Sequence, residues 1–148
     1  MVVLRSVVLA GALALASTAH TAPRAEGAWS RPAAQGTTGA GFMTLTNPAA
    51  KADALVAVAT PLAREVQIHR SSLKGGMASM QRLARVPLPA GRRVTFAPGG
   101  YHLMFMGLTK PLKAGDALPA TLTFASGAKD KVSFVVGIAP PADPHAHH

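Results

Sequence analysis

Histidine and methionine are the residues of this chain whose types and spacing can do chemistry. Leaving out the initiator, four of the five remaining methionines (Met77, Met80, Met104 and Met106) crowd into one stretch of the second half. The histidines are as uneven: His69 and His102 stand in alternating stretches, His20 lies near the N terminus, and His145, His147 and His148 close the chain. There is no cysteine, so a soft-metal site must use thioether and imidazole in place of thiolate. Two of each make a neutral, fairly soft donor set. Such a set favours Cu(I) over Zn(II), Mg(II) or Ca(II), whose sites prefer thiolates, carboxylates or carbonyls. A four-coordinate d10 ion held without thiolate can be released to a partner, which suits transport better than permanent structural binding.

Each of these residues also has a plainer account. A thioether fills irregular gaps in a core, and a histidine on a strand is often a hydrogen-bonded structural residue. The stretch YHLMFMGL (101–108) separates the two accounts. As a strand it places Tyr101, Leu103 and Phe105 on one face and His102, Met104 and Met106 on the other. The first three already supply a core face, which leaves His102 and Met104 turned away from it. Residues i and i+2 of a strand share a face about 6.5–7 Å apart, so His102 and Met104 can converge on one atom. Met106 lies one further step along and falls outside that group. In AREVQIHR, His69 shares a face with Glu65 and Gln67, opposite Val66 and Ile68. Met80 follows the Gly75-Gly76 loop, whose freedom can bring its sulfur over the strand ends.

The elements that must carry these side chains read as short strands between turn signals. They are GFMTLTN, ADALVAVAT, AREVQIHR, MQRLARVPL, RRVTFA, YHLMFMGL, ATLTFA and KVSFVVGIA, the last two forming a hairpin across Ser126-Gly127. TAPRAEGAWSRPAAQGTTGA reads as a linker and LKGGMAS as a loop. Period-2 segments without helical periodicity indicate an antiparallel β-sandwich or barrel.

Composition sets the frame for this reading. A chain of 148 residues, 49% hydrophobic and 14% charged, with 12 prolines and 14 glycines, is a turn-rich globular domain. The start is not part of the fold. Arg5 precedes an apolar run from Val7 to Ala16 that is short for a membrane span and fits a secretory leader. The small residues Ser17-Thr18-Ala19 place cleavage after Ala19, giving a leader over 1–19, a domain over 20–139 and a mobile histidine-rich tail over 140–148. On this reading the mature protein is extracytoplasmic and not an integral membrane protein. The net charge of +9 is spread over scattered lysines and arginines with no interleaved aromatics, which speaks against nucleic acid.

With these residues in hand, the chain resembles the periplasmic copper chaperone family written PCu(A)C. The resemblance rests on His69, ten residues, Met80, twenty-one residues, His102, one residue, Met104. The blocks AWSRPAAQGTTGAGFMTLTN, EVQIH, VPLPAG and FAPGGYHLMFMGLTKPLKAGD extend it from Ala28 to Ala139. It implies a cupredoxin-like β-sandwich or Greek-key barrel of about seven to nine short strands. It further implies Cu(I) bound by His69, Met80, His102 and Met104, and copper delivery outside the cytoplasm. The recipient it implies is the dinuclear copper centre of cytochrome c oxidase, in subunit II, or another copper chaperone. One variant of the family has methionine directly after the first histidine, whereas Arg70 stands here. Met77 is left open as a fifth or substitute ligand. His145, His147 and His148 are either a second site suited to Cu(II) or a solvated tail, and His20 would join the new N-terminal amine after cleavage.

Three other functions remain at this point. A small periplasmic copper oxidoreductase would use the same pocket, although Glu65 is the one acid near the ligands. A scavenging or storage protein would hold copper without passing it on. A metal-free adhesion or scaffold sandwich would use the methionines as filler.

Overall fold

Ten strands and no helix make up residues 22–142, the part of the chain described by the computed structural model. The expected leader over 1–19, His20 and the three tail histidines lie outside these residues. In chain order the strands are β1 (Arg24–Ser30), β2 (Gly39–Thr46), β3 (Asp53–Ala59), β4 (Ala63–Lys74) and β5 (Met77–Leu83). They continue with β6 (Val86–Leu88), β7 (Arg93–Phe96), β8 (Tyr101–Leu108), β9 (Ala117–Phe124) and β10 (Lys129–Val136). Hydrogen bonding links them in the order β5-β4-β8-β7-β2-β1-β10-β9-β3-β6, with β2 also paired directly to β8.

This sheet folds on itself. Phe105 of β8 meets Phe134 of β10 edge-on with ring centroids 5.5 Å apart, although other strands separate them in the sheet order. Leu45, Leu55, Leu103, Leu118, Leu122 and Phe134 are fully enclosed between the two halves. The alternation of β8 is realised as the sequence predicts, with Leu103 and Phe105 in the core. At Gly41 of β2 the ring of Phe105 passes so close that an added Cβ would stand 2.6 Å from its Cε2. A glycine there lets β8 press its core face against β2.

The all-β sandwich is as expected, but the strand count and three local assignments differ. The count is ten, and two pairings, β1 with β10 and β7 with β8, are parallel. The segment read as a linker contains β1. Its register against β2 shifts between Glu26 and Trp29, a bulge that breaks period-2 alternation and buries Ala28, Trp29 and Ser30 in succession. LKGGMAS is not a loop, because β4 continues to Lys74 and β5 starts at Met77 across a two-residue turn. MQRLARVPL is not one strand. It divides into β5 and β6, which sit at opposite ends of the sheet order.

Candidate metal centre

The Gly75-Gly76 turn sets the geometry of the site. Both glycines have positive φ, 57° and 78°, as a tight two-residue hairpin turn requires. The hairpin then pairs Lys74 with Met77, Ser71 with Met80 and His69 with Arg82. On its other side β4 pairs with β8, His69 opposite His102 and Gln67 opposite Met104. Directly paired residues share a face, and diagonal neighbours about 7–8 Å apart lie within reach of long side chains. His69 is therefore central: His102 is opposite, Met104 diagonal on β8 and Met80 diagonal on β5. All four residues of the expected ligand set occupy one face of three adjacent strands. Met77 does not. It pairs with Lys74 on the opposite face at the hairpin tip and is 75% exposed. Met106 shares the ligand face but stands opposite Glu65, and its sulfur accepts the Thr38 hydroxyl at 3.7 Å. Met43 is core filler.

The two imidazoles lie with ring centroids 5.7 Å apart. His102 is 6% exposed, so it is off the core face yet deeply enclosed, where the alternation alone suggested an open position. Its Nδ1 lies 3.0 Å from the Gly100 carbonyl, which also accepts the Ser71 amide. A carbonyl only accepts, so Nδ1 carries the proton and the lone pair of His102 is on Nε2. The Nε2 of His69 lies 2.9 Å from Gln67 Oε1. Its Nδ1 is buried and has no hydrogen-bond partner. Burial holds the pKa of His69 below the usual imidazole value, and the nearby His102 and Arg82 act in the same direction. The ring is thus neutral at neutral pH, with its nitrogen lone pair available.

Among the described residues no group of three or more His, Cys, Asp or Glu comes together to hold a metal. The hard cations therefore have no such cluster there, whereas two imidazoles and two thioethers on one face suit a soft ion. The buried, unpartnered Nδ1 of His69 is a donor atom that fits such an ion.

The sequence pattern of the LpqE-like family, described as "Putative lipoprotein LpqE-like", matches residues 24–136. The chain belongs to the LpqE-like family. A relative in Leifsonia xyli subsp. xyli (strain CTCB07), "Putative lipoprotein Lxx21020", is 34% identical over 110 residues. The match takes in 74% of this chain and 66% of that protein, a little under two thirds of its length. Among solved structures, the copper-bound PCuAC domain from PmoF2 superposes with a TM-score of 0.64 at 29% identity, covering 76% of this chain and 89% of that one. The solution structure of CuI-DR1885 from Deinococcus radiodurans gives 0.59 at 33% identity, covering 86% and 82%. The apo PCuAC domain from PmoF1 shares the fold, with a TM-score of 0.65 at 24% identity over 78% and 92%. The LpqE-like chain thus has the PCu(A)C fold that its motif spacing resembles.

Sequence reasoning missed one side chain of this LpqE-like site and underrated another. Arg82 lies opposite His69 and donates from Nη2 to Glu65 Oε1 at 3.0 Å. Gln67 stands between Glu65 and His69, bonded to both. The signal was available in the glycine pair, since a two-residue turn centred there places Arg82 opposite His69.

Proposed function

We propose that this chain is an extracytoplasmic Cu(I) carrier that holds its cargo with His69, Met80, His102 and Met104 and passes it on by ligand exchange. The observation that carries the reading is the buried, unpartnered Nδ1 of His69 on the face shared with His102, Met80 and Met104. Copper in the PmoF2 domain and Cu(I) in DR1885 support copper as the cargo. Thioether-rich coordination favours the cuprous state and disfavours redox cycling. Glu65 is held by Gln67 and Arg82, so it is not free as an acid or base beside the ligands, which favours a carrier over an oxidoreductase. Met80 is 56% exposed on the outermost strand and is the ligand an incoming donor reaches first.

The apolar leader over 1–19 directs export, and a periplasmic location follows for a cell with two membranes. Among the described residues no helix is long and apolar enough to cross a membrane. The Leifsonia relative is named as a lipoprotein, but no cysteine among these 148 residues offers an attachment point for an acyl thioether. The proposed recipient is the dinuclear copper centre of cytochrome c oxidase, in subunit II, or a further copper chaperone. The tail histidines would add a Cu(II) site.

The test is competition for Cu(I) against a colorimetric chelator, comparing the wild type with His102→Ala and Met104→Ala. Loss of a ligand should weaken binding by at least the roughly 10–100-fold typical of a residue one step further out. Equal affinity in all three proteins would sink the assignment. X-ray absorption on the Cu(I)-loaded protein, with and without residues 140–148, should count two sulfur and two nitrogen scatterers in both cases.

A further inference from the structure

The hydrogen bonds beside His69 run in one direction only. Glu65 Oε1 receives the Arg82 guanidinium at 3.0 Å and the Gln67 side-chain amide nitrogen at 3.2 Å. An ionised carboxylate can only accept, so the NH2 of Gln67 must face Glu65. Reversing that amide would set its oxygen against the carboxylate. The oxygen of Gln67 consequently faces His69, where Nε2 lies 2.9 Å away. An amide oxygen also only accepts, so the His69 proton must be on Nε2. The remaining lone pair is on Nδ1, the atom that is buried and unpartnered. At His102 the Gly100 carbonyl imposes the opposite result, with the proton on Nδ1 and the lone pair on Nε2.

We propose that Gln67 and Glu65 are positioning residues that lock His69 as the Nε2–H tautomer, so that the two histidines offer different nitrogens to one metal, Nδ1 from His69 and Nε2 from His102. This rests on the copper reading above. Arg82 and Glu65 are both more than half exposed, so their ion pair adds little stability. Its role is directional: the guanidinium holds Glu65 turned toward Gln67. A free neutral imidazole exchanges between both tautomers, and a site that must capture a metal gains affinity when the correct one is already present. Residues 65, 67 and 69 alternate on one strand face, so Glu-x-Gln-x-His delivers the whole relay from a single segment.

The experiment reads the tautomers without copper. Long-range proton–nitrogen correlation spectra of the 15N-labelled, copper-free protein, taken where both imidazoles are neutral, should show His69 with an unprotonated Nδ1. His102 should show the reverse, serving as the internal control. Gln67→Leu should move the His69 nitrogens toward averaged positions, leave His102 unchanged and lower Cu(I) affinity by roughly 10–100-fold. Exchanging the pair, Glu65→Gln together with Gln67→Glu, keeps an obligate acceptor beside His69 Nε2 without setting two carboxylates together and should restore the His69 pattern, a rescue that a purely structural role would not produce. A protonated Nδ1 on His69 in the wild type overturns the proposal. So does a Gln67→Leu protein with unchanged nitrogen shifts and unchanged affinity. If the wild type shows opposed tautomers but binds no Cu(I), the copper reading falls and takes the relay's purpose with it. If Cu(I) binds while His69 is already averaged, the relay alone falls.

Discussion

Leaving one imidazole nitrogen of His69 buried without a partner costs on the order of 1–3 kcal/mol, and a cuprous ion accepting its lone pair would relieve that cost. Each neighbour on the ligand face can be sorted by the same accounting of donors. Met104 stands diagonal to His69, whereas Met106 stands opposite Glu65 with its sulfur already accepting from Thr38. Met106→Leu should therefore leave Cu(I) affinity within about twofold and cost less than about 1.5 kcal/mol of stability, as near-isosteric swaps do. Met104→Leu in the same chelator competition should lose the affinity. Equal losses from both would place Met106 among the ligands. Alternation in YHLMFMGL made the two faces readable from sequence, since Leu103 and Phe105 are enclosed and Met104 is turned away from them. Depth was not readable: His102 is buried by the Gly100 backbone and by a histidine thirty-three positions earlier.

At the scale of the strands, the ten-residue gap between His69 and Met80 is the signature of a hairpin. Five residues complete β4, two glycines turn, and three more bring β5 back to Met80, diagonal to His69. The longer gap to His102 is spent on a journey: β6 crosses to the far end of the sheet order, and β7 returns the chain to β8. That spacing is meaningful only once the turn is recognised. Reading LKGGMAS as a loop concealed the fact that Met80 is held by strand pairing and not by a flexible segment. The turn itself is testable. An added Cβ on Gly75 or Gly76 meets no atom within 4 Å, so substitution there acts through backbone conformation alone. Gly75→Ala combined with Gly76→Ala should cost roughly 1–2 kcal/mol per residue within the hairpin. Amide exchange should rise across Met77–Leu83 while the core amides of β9 and β10 keep their protection, and Cu(I) affinity should fall toward that of Met80→Ala. Unchanged exchange and affinity would show that the hairpin does not hold Met80 in place.

For the molecule as a whole, the folded sheet sets the proposed copper ligands on β4, β5 and β8, three strands at one end of the strand order. Neither face of the β4–β5 ribbon is well covered toward its tip, where Leu73 is 76% exposed. From Arg70 to Val86 the chain carries Arg70, Lys74, Arg82 and Arg85 and no acid, so the hairpin end of the β4–β5 ribbon is cationic, although Arg82 is paired with Glu65. The net charge was legible at once, but the share of it on this ribbon was not, because the cations look scattered until the hairpin brings Arg70, Lys74 and Arg82 onto two paired strands. A cationic ribbon accelerates encounter with an acidic acceptor more than it tightens the complex, and the effect is screened over a Debye length of about 10 Å at 0.1 M salt. Copper transfer to an acidic acceptor, followed by stopped-flow spectroscopy, should therefore slow as ionic strength rises. Lys74→Glu should slow it at low salt while leaving Cu(I) affinity unchanged, since Lys74 lies on the face opposite the ligands. At high salt the wild type and Lys74→Glu should converge, because screening removes the one property in which they differ. A transfer rate independent of salt, or a variant that transfers as fast as the wild type at low salt, would show that the ribbon's charge does not guide the acceptor.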